Sequence, residues 1–298
     1  MSSVGNSARV EVANAVSGAA VRIGTFVRRQ PGLLIAGLVL FIFTGAAFIA
    51  PWISPFDPEA LAPMSRLLAP GQDHLLGTDR YGRDLWSRIL FGGRISLLVA
   101  WSVTALALVL GSIIGLTAGF FRKLDNPLMR VMDGFMAFPA ILLAIALMAA
   151  LGPNVTNVII ALTAVYTPRM ARVVRSATLV VKEHVFVEAA EATGASKFRI
   201  LLRHVMPATL PAAMVQATLT FAFAVLAEAS LSFLGVGSPP TVPSWGNIIS
   251  EGRIYIRQAP WVLIYPGVVI SVTVLAVNVV GDGLRDLLDP HLRSKLDK

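Results

Sequence analysis

The chain has 298 residues, of which 55% are apolar and only 14% are charged, and it carries a formal net charge of +8. Soluble globular proteins have about a quarter of their residues charged, so this composition predicts an integral membrane protein. The net charge does not indicate nucleic-acid binding, because the basic residues lie beside apolar stretches and are not interleaved with base-stacking aromatic residues.

Six long apolar stretches predict six transmembrane helices and therefore an all-α membrane protein. The first, residues 33–50, would measure about 27 Å as a helix, which is enough to cross a bilayer. A signal peptide is the alternative for this stretch, but its apolar core is long and no small-x-small cleavage site follows it. Pro139 and Pro168 predict kinks in the third and fourth helices. The other five stretches are residues 97–121, 129–151, 155–174, 208–234 and 262–280.

Residues 54–94 connect the first two predicted helices through a polar segment rich in proline, aspartate and arginine. Gly92 and Gly93 predict a turn, and the apolar residues before them predict one short helix at the membrane surface. The glycine spacing of residues 77–84 lacks the Lys-Ser/Thr pair of a P-loop, so we do not expect ATP to bind there. Neighbouring acidic and basic residues in this segment fit a solvated loop: Asp79 with Arg80, and Arg83 with Asp84.

The charged segment 175–207 separates the fourth and fifth predicted helices. Before Gly194, apolar residues recur at helical spacing. Gly194 predicts a helix end because glycine adopts a left-handed backbone at small cost, and Ser196 is the expected N-cap of the following helix. Pro207 and Pro211 suit the first turn of the next helix. The sequence therefore predicts two short helices outside the membrane, bent at a glycine.

The second of these short helices is predicted to present an apolar stripe with basic flanks. An apolar strip of this kind fits the groove of a partner protein. The alternative is an amphipathic helix that lies on the lipid surface. The stripe residues, at i, i+3, i+4 and i+7, are Phe198, Leu201, Leu202 and Val205, and the basic residues are Lys197, Arg199 and Arg203.

The distribution of lysine and arginine predicts that both termini lie in the cytoplasm. Eighteen basic residues fall in the segments assigned to the cytoplasm, against seven in residues 51–96 and 235–261. The predicted organisation in chain order is a variable cytoplasmic lead (1–30), a first transmembrane helix (31–53), an extracytoplasmic loop (54–94), a transmembrane core (95–281) that contains the external loop 235–261, and a cytoplasmic tail (282–298).

Glu228 lies in an otherwise apolar predicted helix. An ionisable side chain there costs at least a few kcal/mol if lipid surrounds it, so it should face protein or water, and it is a candidate functional group. The alternative is a structural hydrogen bond to a neighbouring loop. Asp133, near the cytoplasmic end of the third predicted helix, is predicted to form a salt bridge with Arg130 or Arg169.

The last predicted helix ends in the polar motif NVVGDGLRDLLDP. Gly281 and Gly283 are expected to loosen the helix, so that the motif packs against the ends of other helices. Direct contact with an ATPase is the alternative. The polar side chains of the motif are Asn278, Asp282, Arg285 and Asp286.

Five separated segments resemble, in the same order, the permease subunits of ABC importers from the dipeptide, oligopeptide and nickel branch. One is the EAA loop, in which Glu188-Ala189-Ala190 is followed by Gly194 and Pro207, with Met206 where that pattern commonly has leucine. The EAA loop is the segment that seats on the ATPase subunit. The other segments are GTDRYGRDLWSRILFGGRISL, RVMDGFMAFPAILLAIAL, AEASLSFLGVG with PPTVPSWG, and the NVVGDGLRDLLDP motif.

The resemblance implies a multi-pass protein of the bacterial plasma (inner) membrane with the type I ABC importer (MetI-like) permease fold. It implies three kinds of protein partner besides the lipid membrane: a second homologous permease, two cytoplasmic ABC ATPases and an extracytoplasmic solute-binding protein. The chain itself is expected to hold no cofactor and to be no enzyme, because ATP and Mg²⁺ would bind to the partner ATPases. The expected cargo is di- or oligopeptides. The alternatives are a nickel chelate, an opine or a sugar, and a more distant one is an ion-gradient-driven secondary transporter.

The resemblance also assigns roles in the EAA-like loop. Gly194 would set its bend, and Glu188 would meet a basic group of the ATPase. The residues predicted to couple to the ATPase are Phe186, Glu188, Ala189, Ala190, Gly194, Phe198, Arg199, Arg203 and Pro207. No catalytic or metal-binding residue is predicted, because no nucleophile set or paired carboxylates converge and the four histidines are scattered.

Overall fold

The computed structural model of the chain describes residues 31–288, and the regular secondary structure in that range is helical, with no β-strand. The predicted lead (1–30) and the last ten residues of the predicted tail lie outside the described residues. The principal helices are α1 (Pro31–Phe48), α2 (Leu85–Phe120), α3 (Arg122–Met136), α4 (Ala140–Leu151), α5 (Val155–Lys182), α6 (Val185–Ala192), α7 (Lys197–Phe233), α8 (Trp245–Gly252) and α9 (Trp261–Leu288).

The predicted membrane spans correspond to long helices of this fold. Within the described residues, α1, α2, α7 and α9 are long and apolar enough to cross a membrane, and α3 with α4 would add a fifth span if the bent pair counts as one. α5 contains Arg169, Arg172 and Arg175, which interrupt its apolar stretch. The predicted number of six spans is compatible with this arrangement and stays a prediction.

The predicted kink at Pro139 is a full change of direction. α3 and α4 meet at an angle of 89°, and Pro139 is the extended residue immediately before α4, with ψ of 131°. Proline permits this break because it has no backbone N–H to continue the helix of the preceding residues. Pro168, by contrast, lies inside α5, which continues from Val155 to Lys182, beyond the predicted end at residue 174.

α2 corrects the prediction for residues 85–121. The predicted short surface helix and the second span form one helix of 36 residues, so the predicted turn at Gly92 and Gly93 is wrong. These glycines instead allow α8 to approach closely. A Cβ atom on Gly92 would lie 3.2 Å from the carbonyl carbon of Ser244, and one on Gly93 would lie 3.2 Å from the indole ring of Trp245.

Glycines spaced four residues apart also bring α2 against α5. A Cβ on Gly111 would lie 2.6 Å from the Cβ of Met170, and one on Gly115 would lie 2.5 Å from the carbonyl oxygen of Ala171. Gly119 continues this contact one turn later. Small residues at this spacing let two membrane helices pack backbone to backbone. Sequence spacing alone does not indicate this contact.

The buried apolar side chains form a central cluster and two clusters near the ends of α2. The central cluster joins the middle of α2 to α5 and α7 through residues such as Val103, Leu162 and Val225. α9 packs along α7 and α1, and a Cβ on Gly283 would lie 2.6 Å from Leu33. The two glycines of the last motif therefore bring helices together, and their predicted loosening of α9 is wrong, because α9 continues to Leu288.

Candidate functional site

The bent segment (residues 183–207) follows α5 and has the predicted glycine bend. α6 ends at Ala192, and Gly194 has a φ of 78°. The N–H of Ala195 donates to the carbonyl oxygen of Ala190, which closes the helix end. Ser196 caps the next helix by accepting a hydrogen bond from the N–H of Arg199. The bend and the cap are thus confirmed.

The predicted apolar stripe of the second short helix is divided between two faces. Phe198 is 66% exposed and Leu202 is 42% exposed, whereas Leu201 and Val205 are buried. The prediction of a single apolar stripe is therefore wrong. Residues 201–205 form a π-helical turn, and its wider spacing rotates the later side chains around the helix axis.

The same π-helical turn joins the bent segment to α7 without a break. The N–H of Met206 donates to the carbonyl oxygen of Leu201, five residues earlier. Pro207 has no N–H to donate, and π-type turns are a known way for a helix to accommodate such an interruption. Pro207 therefore lies within a continuous helix from Lys197 to Phe233, and the predicted separate start of the fifth helix is wrong.

A buried apolar cluster, the anchoring core, fixes the bent segment to the long helices. It combines the inner face of the bent segment with the last turns of α2 and the second half of α5. Motion of the bent segment is therefore tied to motion of α2 and α5, since close-packed side chains transmit displacement. Its members are Val187, Ile200, Leu201 and Val205 of the bent segment, Leu116 and Phe120 of α2, Met170, Val174 and Val181 of α5, and Ala213 and Ala217 of α7.

The outer face of the bent segment, which we call the coupling face, is exposed and mixes apolar and charged side chains. His184 stacks on Phe186 with ring centroids 5.5 Å apart. Ala190 is half-buried, whereas Gly194 and Pro207 are exposed. Most of the predicted ATPase-coupling residues are therefore exposed side chains of the bent segment. The coupling face comprises Val185, Phe186, Glu188, Ala189, Phe198, Arg199 and Arg203.

Two ion pairs hold α3 beside α5. Arg175 contacts both carboxylate oxygens of Asp125, with Nε–Oδ1 and Nη2–Oδ2 distances of 2.5 and 2.7 Å. Arg172 pairs with Asp133 at 2.6 Å. The predicted partners of Asp133, Arg130 and Arg169, are therefore wrong. The actual partner lies 39 residues away on another helix, which sequence spacing does not indicate.

Glu228 is completely buried and makes two side-chain hydrogen bonds. Its carboxylate accepts hydrogen bonds from the hydroxyl of Ser96 on α2 and from that of Ser232 on α7, each at 2.8 Å. The backbone N–H of Trp245 donates to the Ser96 oxygen. Among residues 31–288, no cationic side chain forms a salt bridge with Glu228. The geometry favours the structural alternative, in which Glu228 joins α2, α7 and the start of α8.

Replacing Glu228 by leucine is expected to destabilise the protein more than replacing it by glutamine. Leucine leaves the hydroxyls of Ser96 and Ser232 buried without an acceptor, at a cost of about 1–3 kcal/mol for each group. Glutamine keeps one acceptor oxygen. The thermal midpoint of the detergent-purified chain measures the difference. Transport should follow stability in both variants, and a glutamine variant that is stable but inactive would instead assign Glu228 a direct role in transport.

The predicted solvated loop contains a buried ion-pair cluster. Asp79 accepts from Nε of Arg83 at 2.7 Å and from Nη1 of Arg88 at 2.6 Å, and Glu251 of α8 contacts both arginines. Asp84 contacts His74 and caps α2 by accepting from the N–H of Ser87. A solvated loop is therefore wrong for residues 77–84, and so are the pairs Asp79 with Arg80 and Arg83 with Asp84, because Asp79 pairs with Arg83 and Arg88, and Asp84 pairs with His74.

The described residues show no group of three or more histidine, aspartate or glutamate side chains that could hold a metal ion. The described residues instead form packing and ion-pair contacts that connect the long helices to segments at both of their ends. The fold has an exposed coupling face at one end of α2 and a polar, ion-paired assembly at the other.

The chain is similar to known transport proteins over most of its length. The family described as binding-protein-dependent transport system inner membrane component matches residues 107–294. A putative peptide transport system permease protein of Brucella suis is 49% identical over 265 residues, with 89% of this chain and 90% of that protein covered. The dipeptide transport system permease protein of Alkalihalophilus pseudofirmus is 41% identical, with 88% and 87% covered.

Two further comparisons extend this picture. The glutathione transport system permease protein of Pectobacterium atrosepticum is 40% identical over 268 residues, with 89% of both chains covered. A crystal structure of the MetNI methionine ABC transporter in inward-facing conformations matches with a TM-score of 0.58 at 21% identity. That match covers 68% of this chain and 96% of the other, and it shows a shared fold.

Proposed function

The chain belongs to the family of binding-protein-dependent transport system inner membrane components, and from that membership we propose that it forms half of the translocation path of an ATP-driven peptide importer. It is a permease subunit of an ABC transport system in the inner membrane. The relatives named as peptide, dipeptide and glutathione permeases support a short peptide as the cargo.

The observation that carries the coupling proposal is the two-sided construction of the bent segment. Its outer side presents Phe186 and Phe198 to solvent, and its inner side is buried in the anchoring core with α2 and α5. A partner that seats on the coupling face can therefore displace the long helices. Ala189 is exposed and small, which lets α6 lie close to a partner groove, and the two nearby arginines, Arg199 and Arg203, suit acidic side chains there.

The partners in this proposal are two cytoplasmic ABC ATPases, a second homologous permease and an extracytoplasmic solute-binding protein. ATP and Mg²⁺ are held by the ATPases. Coupling requires that the ATPase interact differently with two arrangements of the permease, because a partner that binds both equally shifts neither. An ATP-bound ATPase dimer that closes would move the two coupling faces of a permease pair together.

Replacing Phe198 by aspartate is expected to release the ATPase from the complex. Phe198 is 66% exposed on the coupling face, so aspartate leaves the fold intact but places a charge where an apolar contact is proposed. Co-purification of the ATPase with the tagged chain, from mild detergent, should fall at least tenfold. The matched control is Ile254→Asp, because Ile254 is 68% exposed and lies after α8, remote from the bent segment. Equal ATPase recovery with both variants would contradict the proposal.

The cargo and the energy source are tested together by uptake in cells that lack this chain. Restoring the chain should restore accumulation of a labelled dipeptide, and a variant ATPase that cannot hydrolyse ATP should abolish it. Uptake that persists with this ATPase and collapses with an ionophore would favour an ion-gradient-driven transporter. Restored uptake of a nickel chelate, an opine or a sugar in place of the dipeptide would change the proposed cargo but leave the proposed ATP-driven mechanism in place.

A further inference from the structure

The short helix α8 is fastened to α2 at its N-terminal end. The backbone N–H of Trp245 donates to the hydroxyl oxygen of Ser96 at 3.2 Å, and its indole N–H donates to the carbonyl oxygen of Ile89 at 3.0 Å. Ser96 in turn donates to the buried carboxylate of Glu228 on α7. The start of α8 is therefore held by hydrogen bonds to one long helix and, through it, to a second.

The C-terminal end of α8 is fastened by the four-charge cluster of Asp79, Arg83, Arg88 and Glu251. Arg88 of α2 donates to Glu251 at 2.8 Å and to Asp79 at 2.6 Å, and Arg83 contacts the same two carboxylates. The exposed fractions of these side chains range from 1% to 12%. Two positive and two negative charges balance in a buried site, so removing one leaves an uncompensated charge.

Between these two ends, apolar contacts complete the attachment. Leu85 and Ile89 of α2 are buried against Ile248 of α8. Gly92 and Gly93 let α8 lie directly on the α2 backbone. We call residues 66–84 together with α8 the cap. The contacts of α8 with α2 run through Trp245, Ile248 and Glu251, from one end of α8 to the other, and they make the cap and the first part of α2 one rigid unit.

The same helix continues without a break to the anchoring core. α2 has 36 residues, which corresponds to a length of about 54 Å. Leu116 and Phe120, in its last two turns, pack with the buried side of the bent segment. One helix therefore contacts both the cap and the bent segment, at opposite ends of the molecule.

We propose that Asp79, Arg83, Arg88 and Glu251 form a positioning cluster that makes the cap and α2 move as one body. Docking of the solute-binding protein on the cap then changes the position of the bent segment, and with it the rate of ATP hydrolysis by the partner. This inference rests on the proposed function.

The rigid connection is tested by spin labels, without reference to the binding protein. The chain has no cysteine, so Leu75→Cys in the cap and Ile113→Cys in α2 place two unique labels in it, and it is assembled with cysteine-free variants of its partner subunits. Both residues are exposed. We expect one narrow distance distribution, identical in the nucleotide-free and vanadate-trapped complexes, and a broadened one after Glu251→Gln. A wild-type distance that shifts between the two states, or an unchanged width in the variant, would overturn the proposal.

The consequence for coupling is tested by ATPase activity of the complete transporter in nanodiscs. For Glu251→Gln we expect unchanged basal hydrolysis and at least a fivefold smaller stimulation by saturating peptide-loaded binding protein. The control is Arg253→Gln, because Arg253 is an exposed cation two residues away that lies over the Phe233 ring and not in the cluster. The control should keep the wild-type stimulation. Equal stimulation of Glu251→Gln and wild type would refute the positioning role.

A second variant keeps the test decisive if Glu251→Gln fails to fold. The double variant Arg83→Gln/Glu251→Gln removes one charge of each sign, so Asp79 and Arg88 remain as a balanced pair. It should insert normally and still lose the stimulation. If the wild-type transporter itself shows no response to the loaded binding protein, the proposed function fails, whereas the label distances still decide whether the cluster joins the cap to α2.

Discussion

Replacing Gly194 by valine is expected to abolish ATPase-dependent transport while leaving the chain inserted in the membrane. Gly194 has a φ of 78°, a backbone conformation that a β-branched residue adopts only under strain of about 1–3 kcal/mol. A Cβ atom at this position would meet nothing within 4 Å, so the effect comes from the backbone alone. The bend between α6 and α7 must change to relieve the strain, which displaces Phe186 relative to Phe198. ATPase co-purification and uptake should each fall at least tenfold.

The matched control for this prediction is Gly152→Val. Gly152 has a φ of 86°, and a Cβ there would also meet nothing within 4 Å, but it lies in the turn between α4 and α5, away from the bent segment. With its ψ of 162°, Gly152 has a backbone conformation that is essentially restricted to glycine, so valine strains the backbone there without altering the coupling face. The control should retain its ATPase. Loss of the ATPase in both variants would mean that general destabilisation explains the result, and retention in both would show that the bend is not needed for docking.

Replacing Gly115 by leucine should prevent the fold from assembling. A Cβ at this position would lie 2.5 Å from the backbone carbonyl oxygen of Ala171, and the carbonyl cannot rotate away as a side chain would. Overpacking alone costs about 1–3 kcal/mol, and a backbone obstacle adds to it. α2 and α5 would separate, and this contact supports both the central cluster and the anchoring core. The yield of monodisperse chain in mild detergent should fall at least tenfold.

Gly45→Leu provides the corresponding control within the membrane region. Gly45 lies in α1, and a Cβ there would meet nothing within 4 Å, so leucine adds only an apolar side chain to an open surface. We expect its yield and thermal midpoint to match those of the wild type. A similar yield for Gly115→Leu and Gly45→Leu would show that α2 and α5 do not depend on close backbone contact.

The sequence predicted features that neighbouring residues determine. The bend at Gly194 and the cap at Ser196 are confirmed because each depends on backbone conformation within a few residues. The position of the break at Pro139 was predicted, but its angle of 89° was not, since that angle depends on how α3 packs against α5. The residues around a helix end determine where the helix stops, whereas tertiary contacts determine the direction of the next helix.

Features that depend on distant residues could not be predicted from spacing. Arg88 and Glu251 are 163 positions apart, and Ser96 and Glu228 are 132 apart, so no local pattern pairs them. Gly92 illustrates a different limit, because glycine serves turns and close helix contacts alike. No residue pattern in the sequence indicated the π-helical turn at residues 201–205. Regular helical spacing therefore predicted one apolar stripe, whereas the structure divides those side chains between a buried and an exposed face.

The composition of the anchoring core has a consequence for biogenesis. Its side chains come from residues as far apart as Leu116 and Ala217, so the core closes only after α7 has been synthesised and inserted. A nascent chain that ends within α5 or α6 lacks the α7 side chains of the anchoring core, so this core cannot pack beneath the coupling face. If the coupling face binds the ATPase as proposed, finished permeases would recruit it and incomplete ones would not. The same surface would then also report whether membrane insertion is complete.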